Sequence, residues 1–262
     1  MKPFAKKRFG QNFLIDPNIL RKIIRTVVPR PDDIIVEIGS GKGALTDLLI
    51  ESGAIIHAIE IDDDLIPELE CKFSDKSNFH LHHADALKFD LSSIKPANQK
   101  IRIVGNVPYN ITSPLLFKVF DNSDIIDDVH FMVQREIARR ICALPNTKEY
   151  GILSVVTQFY GKPAIAFDVS PKVFRPMPDV YSSIVSLKLN PKFIDQEFQD
   201  YFLTTVKTAF GKRRKTLRNS LFDLLKNKHG ECPVDLSRRA ESLDVAEFIK
   251  LSLWICDSKR RE

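Results

Sequence analysis

The chain has 262 residues, 44% apolar and 28% charged, which excludes disordered, collagenous and coiled-coil proteins and leaves apolar mass for a full core. Its net charge of +5 is unevenly spread: residues 1–30 carry eight Lys and Arg against one acid, residues 31–190 carry 16 against 22, and residues 191–262 carry 15 against 11. Basic ends around an acidic middle suit a polyanion held outside a differently tuned site, although a basic tail and a solvated helical face give the same balance.

Along the chain, Asp16-Pro17 is an N-cap followed by proline at the first helical position, and Ile19, Leu20, Ile23, Ile24, Val27 and Val28 predict an amphipathic helix over 17–28. Short β-branched runs then alternate with helical patterns. Residues 34–38, 54–59, 79–82, 101–105 and 129–133 read as strands, a rhythm that predicts a parallel sheet covered on both faces. Two further strand-like runs, 164–169 and 183–189, flank the proline-rich Phe174-Arg175-Pro176-Met177-Pro178. Beyond Pro191 the pattern is purely helical, with Leu217, Leu221, Leu224 and Leu225 on one face, so a domain boundary is expected near 190: a sheet domain over 1–190 and a helical one over 191–262.

Ligands of such open sheets bind beyond the carboxyl ends of the strands. After the first run stands Glu37-Ile38-Gly39-Ser40-Gly41-Lys42-Gly43, a G-x-G-x-G turn entering a helix, where Gly39 and Gly41 let backbone turn tightly against a ligand. Gly43 after Lys42 excludes a P-loop. Glu60 ends the second run, where a carboxylate can accept both hydroxyls of a ribose, and Asp85 follows the third, where one can accept from an adenine amino group. Together they describe an adenosine without a pyrophosphate, although the turn alone also fits a dinucleotide.

The fourth run ends in Asn106-Val107-Pro108-Tyr109. An exocyclic amine is a poor nucleophile because its lone pair is delocalised into the ring. Two acceptors, the Asn106 side-chain oxygen and the Pro108 carbonyl, would each take an N–H and turn that lone pair toward an electrophilic methyl. Proline fixes the backbone presenting the carbonyl, and Tyr109 would stack on an extruded base. A proline turn after a buried strand, with Tyr109 in the core, is the alternative.

Gly10-Gln11-Asn12-Phe13-Leu14, the glycine turn, Asn106-Val107-Pro108-Tyr109-Asn110-Ile111 and Phe174-Arg175-Pro176-Met177-Pro178-Asp179-Val180-Tyr181-Ser182 together resemble the small-subunit rRNA adenine N6,N6-dimethyltransferases, from the N-terminus through the helical tail. The resemblance implies a class I S-adenosylmethionine-dependent methyltransferase fold, Rossmann-like with a seven-stranded, mostly parallel sheet and a small helical C-terminal domain. It also implies dimethylation of two adjacent adenosines in a hairpin loop near the 3′ end of small-subunit rRNA, within a maturing subunit. Family cofactor contacts fall here on Asn12, Leu14, Gly39, Glu60, Asp85 and Asn106, and Phe174 would supply a second aromatic face for the target base. Gly10 and Gln11 would help the N-terminal loop close over the cofactor. Val107 replaces the commoner Leu or Ile, and Asn146 stands where relatives often have Gly. The competing readings are a large-subunit rRNA dimethyltransferase of the antibiotic-resistance type and a mainly non-catalytic assembly or nucleic-acid-binding factor.

The run 207–218 carries six basic residues and no acid; Lys212, Arg213, Arg214, Lys215 and Arg218 are the candidate RNA contacts, expected to project from one helix, with a solvated face or a nuclear localisation patch as alternatives. Lys2, Lys6, Lys7 and Arg8 would act likewise or form a basic tail. Arg135, Arg139 and Arg140 suit either an RNA path or a solvated face. His80, His82 and His83 lack nearby Cys or a matching acid pair, so no metal is expected, and Trp254 is expected in the helical core. Cys71, Cys142, Cys232 and Cys256 are widely spaced without a CxxC pair, and no apolar run approaches the roughly 18 residues of a membrane span. A monomeric cytoplasmic protein, without membrane contact, is the expectation.

Overall fold

The computed structural model describes residues 11–94, 99–190, 196–212, 214–226, 228 and 230–257. The first helix, α1 (Pro17–Val27), begins as its sequence dictates: the Asp16 carboxylate accepts from the N–H groups of Asn18 at 2.8 Å and Ile19 at 3.1 Å. Leu20, Ile23 and Val27 form its buried stripe. It stops at Val28, whose φ of 50° is left-handed.

The strands β2 (Ile34–Ile38), β3 (Ile55–Glu60), β4 (Phe79–His83), β5 (Ile101–Asn106) and β6 (Ile126–Gln134) follow, with α2 (Ala44–Glu51), α3 (Ile66–Lys72) and α4 (Thr112–Asp121) between them and α5 (Arg135–Ile141) after β6. With β7 (Gly161–Val169) and β9 (Ser182–Leu189) they form a seven-stranded sheet in the order β4-β3-β2-β5-β6-β9-β7. The β4-β3-β2-β5-β6 pairings are parallel, whereas β9 is antiparallel to β6. All five residues of central β2 are buried, as expected of a strand covered on both faces. The fold therefore matches the sequence expectation of a mostly parallel, seven-stranded α/β sheet.

The chain leaves β2 toward β3 on one side and returns to place β5 on the other. The loops after β2 and β5 diverge at this switch point and open a crevice between them. Gly105 pairs with Ile38 across that point, and a Cβ there would lie 2.7 Å from the Ile38 carbonyl oxygen, so only glycine lets the strands approach this closely. A second sheet not foreseen from the sequence joins β1 (Phe13–Leu14) to β8 (Phe174–Arg175), with Leu14 opposite Phe174.

The structure divides into two compact units. Described residues up to Ala138, with Lys162–Asn190, form the sheet unit, and Arg139–Gly161 with the described residues beyond 195 form a helical one. This differs from the single cut at 190, because α6 (Ile152–Tyr160) packs into the helical core: the Phe159 ring stacks on Phe202 of α7 (Gln196–Gly211) with centroids 4.1 Å apart. The Tyr150 hydroxyl also donates to the Leu243 carbonyl at 2.9 Å. Asn146 has a φ of 65°, a conformation asparagine tolerates, which accounts for its standing where glycine is common.

The basic run is not carried on one helix. After α7 come two four-residue turns, α8 (Leu217–Ser220) and α9 (Phe222–Leu225), before α10 (Val245–Asp257). Leu217 and Leu221 are fully buried, as their spacing implied. Lys212, Arg214 and Lys215, however, occupy the exposed loop between α7 and α8, and Arg218 is exposed on α8. Arg213, like Lys2, Lys6, Lys7, Arg8 and Gly10, lies outside the described residues. Trp254 is half-buried on α10 rather than fully in the core.

Candidate active site

The switch-point crevice holds a cavity of about 240 Å³, and its lining brings together Asn12, Gly39, Gly41, Glu60, Asp85 and Asn106, residues spread over 95 positions of sequence. Pro108 and Tyr109 line it too. Parallel strands explain the convergence, since every β-to-α turn emerges at the same edge of the sheet.

The glycine turn and Glu60 are built as one unit. Gly41, at φ 57°, donates its N–H to Glu60 Oε2 at 2.8 Å, while Glu60 Oε1 accepts from the N–H groups of Ile61 at 2.9 Å and Asp62 at 3.0 Å. A β-carbon on Gly41 would stand 3.2 Å from the Phe13 ring, so the N-terminal segment lies directly over bare backbone. The buried carboxylate thereby lines the cavity with one lone pair, on Oε2, to spare. Asp85 uses Oδ1 to accept from Leu87 N–H at 2.9 Å, and its Oδ2 takes no hydrogen bond among the described residues. With Ile38, Ile61 and Leu87 as apolar walls, this acceptor set fits an adenosine: Glu60 for the ribose, Asp85 for the exocyclic amine.

Asn106 closes the other side. Its Nδ2 donates to the Asn12 carbonyl at 2.9 Å, an oxygen that can only accept, so the amide is held one way round and Oδ1 is left without a partner among the described residues. Tyr109 is half-buried at the cavity wall, its hydroxyl 2.8 Å from Ser182 Oγ; burial raises its pKa against the smaller opposing effect of that hydrogen bond. Gln11 donates to buried Asp62 at 2.7 Å and ties the N-terminal segment to the loop after β3.

Three expected site residues are placed differently. The Pro108 carbonyl, read as the second acceptor, already accepts from Ile111 N–H at 3.1 Å and Thr112 Oγ1 at 3.4 Å in the turn that starts α4. The Val107 carbonyl carries no hydrogen bond among the described residues, and Val107 lines the cavity. Phe174 is not an open stacking face: it is 1% exposed and packs with Leu14, Leu20 and Ile184, because the β1–β8 pairing draws it into the core. Leu14 lines a smaller adjoining cavity of about 60 Å³ rather than the main one.

That smaller cavity contains a group the sequence reading left out. Glu37 is buried on β2 and accepts from Thr46 Oγ1 at 2.6 Å. Burial, opposed by the Thr46 bond and assisted by Glu60, raises its pKa to about 7. Its position two residues before Gly39 was the available signal. Ser182, anchoring Tyr109, was likewise visible only as part of a proline-rich motif.

The histidines form a cluster on the β3–β4 edge, with His57 Nδ1 2.9 Å from His82 Nε2 and His57 stacked on His80 at 4.7 Å. Among the described residues no group of His, Cys, Asp or Glu is arranged to hold a metal, and no helix is long and apolar enough to cross a membrane. No disulfide joins the cysteines among the described residues.

Residues 4–257 match the family described as ribosomal RNA adenine dimethylase. The chain is 45% identical over 257 residues to ribosomal RNA small subunit methyltransferase A of Saccharophagus degradans, covering 95% of each chain. Among solved structures it is similar to a dimethyladenosine transferase from Plasmodium falciparum, with a TM-score of 0.80 and 26% identity over 94% of this chain and 98% of that one. The 23S rRNA methyltransferase ErmE shares the fold, with a TM-score of 0.68 and 24% identity over 94% of this chain and 100% of that one. With its glycine turn, paired acids and Asn106 converging on one crevice, and with that match along nearly its whole length, the chain belongs to the ribosomal RNA adenine dimethylase family.

Proposed function

We propose that this enzyme dimethylates N6 of two adjacent adenosines in a hairpin loop near the 3′ end of small-subunit rRNA, in the maturing subunit, acting as a cytoplasmic monomer. The observation that carries the reading is Asn106, whose amide is locked by the Asn12 carbonyl with its oxygen left to accept at the cavity wall. The methyl donor is S-adenosyl-L-methionine, and when bound it supplies an electrophilic methyl on a sulfonium. Glu60 and Asp85 would hold its adenosine, Gly39 and Gly41 would give it bare backbone to lie against, and Asn12 would border it.

The work of Asn106 follows from the chemistry of an aromatic amine. Its Oδ1 accepts one N6–H, and a main-chain carbonyl accepts the other; the open valence at Val107 makes that carbonyl the better candidate than the occupied one at Pro108. Together they favour a pyramidal nitrogen whose lone pair is withdrawn from the ring's conjugation, an effect realised only as the new bond forms. Tyr109, with its hydroxyl fixed by Ser182, offers a ring face to the base. Methylation leaves the nitrogen cationic, and loss of one N6 proton to water returns it to a neutral amine with a single N–H, so a second transfer needs space for a methyl where one acceptor loses its partner. Lys212, Arg214, Lys215 and Arg218 would neutralise phosphates from their exposed loop and turn, a role that predicts binding weakened by salt.

Primer extension across the 3′ region of small-subunit rRNA, with and without the gene, tests the reading, because dimethylated N6 blocks Watson–Crick pairing. The expected result is a stop at two adjacent adenosines that needs the gene. A gene-dependent stop in large-subunit rRNA instead would overturn it.

A further inference from the structure

One exposed aromatic side chain next to the anchor of Tyr109 has no task in this chemistry. Tyr181 is 45% exposed and immediately precedes Ser182, the residue bonded to the Tyr109 hydroxyl. The Arg135 guanidinium lies over its ring, 4.5 Å from the centroid, and the Arg135 N–H donates to the Tyr181 carbonyl at 2.9 Å. Asp168 stands 3.9 Å from Arg135 and takes the Ser183 hydroxyl at 2.6 Å, so the guanidinium has a counter-charge tied to the same strand. The tyrosine is thus supported through its main chain and one ring face, while no second ring or cation lies against it among the described residues. Met177, 61% exposed, and Val180 keep the neighbouring surface apolar.

Its position follows from the sheet. Because β9 runs antiparallel to β6, the start of β9 lies at the carboxyl end of β6, the edge from which Asn106 also projects. Asn106, Met132 and Ile184 are in register across three neighbouring strands, so β9 lies about 10 Å from β5 at the 4.7–4.9 Å spacing of a sheet. A base drawn out of its stack leaves the neighbouring nucleotide with an uncovered face close by. A ring backed by a guanidinium suits that nucleotide: a π-face for the base and a positive charge for the phosphate.

We propose that Tyr181, backed by Arg135, is the stacking platform for the nucleotide flanking the reacting adenosine, and that it sets RNA affinity rather than the rate of methyl transfer. The inference rests on the reading of the substrate as an adenosine within RNA. The test uses the full-length enzyme and immature small subunits, the proposed substrate, whose rRNA hairpin bears the two adjacent adenosines and is either intact or carries an abasic nucleotide at one flank or the other. In Tyr181→Ala the KM for RNA is expected to rise about tenfold, the scale of one lost base–aromatic stack, with kcat and cofactor affinity unchanged. Tyr181→Phe keeps the ring and should stay within about twofold of the native enzyme. An abasic nucleotide at the platform flank should cost the native enzyme the same rise and cost Tyr181→Ala nothing more. Multiplying losses, or an unchanged KM in Tyr181→Ala, would overturn the platform and leave this patch to a protein partner. A native enzyme that leaves immature subunits with the intact hairpin unmethylated would reject the RNA reading itself, and the platform with it.

Discussion

The two ends of β5 carry polar residues of comparable burial put to opposite uses. At its start, Arg102 spends its donors on partners: Nε and Nη2 reach Asp128 at 2.9 and 2.8 Å, Nη1 reaches Asp33 at 2.6 Å, and Nη2 also meets the Val27 carbonyl at 2.6 Å. At its end, Asn106 spends only its amide donor and keeps its oxygen open toward a cavity. A polar group whose bonds are all made within the chain holds the fold together, and one left with an open valence has something to offer a substrate.

The carboxylates of the two edges differ in the same way. Burial pushes Asp128 up, but His130 and Arg102 outweigh it and hold its pKa at about 2. Glu37, near the glycine turn, has no cation bonded to it among the described residues, and burial raises its pKa to about 7.

The largest test removes the cation. Arg102→Ala strands two carboxylates that the fold has taken from water, and should destabilise the protein by about 3–5 kcal/mol in urea unfolding. The protein that stays folded should methylate normally; a loss of kcat in step with stability would erase the distinction between the two ends. Asn106→Ala sharpens it from the other side, with kcat expected to fall about 100- to 1,000-fold while RNA binding and the unfolding midpoint hold nearly level. Near-native turnover would sink the acceptor role.

Acid titration of stability separates the carboxylates by sign. The folded pKa of Glu37 lies above its unfolded value, so the folded state holds a proton that the unfolded chain releases. Stability is therefore lost as pH rises from 4.5 to about 7, by about 3 kcal/mol. Glu37→Gln should remove that slope and be the more stable protein at pH 8. Asp128 runs the other way. Its contribution of about 2 kcal/mol is present above its unfolded value of 3.8 and disappears as pH falls toward about 2, so Asp128→Asn should flatten the acid limb instead. Finding both slopes of one sign would contradict the contrast.

The smallest effect lies outside both edges. Val28 ends α1 at φ 50°, a conformation that costs a β-branched residue about 1–2 kcal/mol, and Val28→Gly should recover about 1 kcal/mol without touching activity. An unchanged unfolding midpoint would show that the strain is absorbed elsewhere.

What the amino-acid sequence determined by itself is local and repetitive. The strand runs, the Asp16-Pro17 helix start and the glycine turn are read within a few residues, and parallel connectivity then forces Gly39, Glu60, Asp85 and Asn106 onto one edge. The site's residues were legible because each stands at or just past the carboxyl end of a strand. Tertiary structure alone decided which of their polar atoms stay free. The Pro108 carbonyl is consumed by the turn that starts α4, so the open acceptor moves to Val107. Phe174 is buried because β8 pairs with β1, a partner about 160 positions away, and residues 139–161 join the helices through Phe159. The loop holding Lys212, Arg214 and Lys215 interrupts what periodicity read as one helix, since Leu217 and Arg218 turn their N–H groups to the Arg238 and Leu236 carbonyls. Periodicity records which side of an element avoids water; which lone pair remains unused depends on partners that only the folded chain brings within reach.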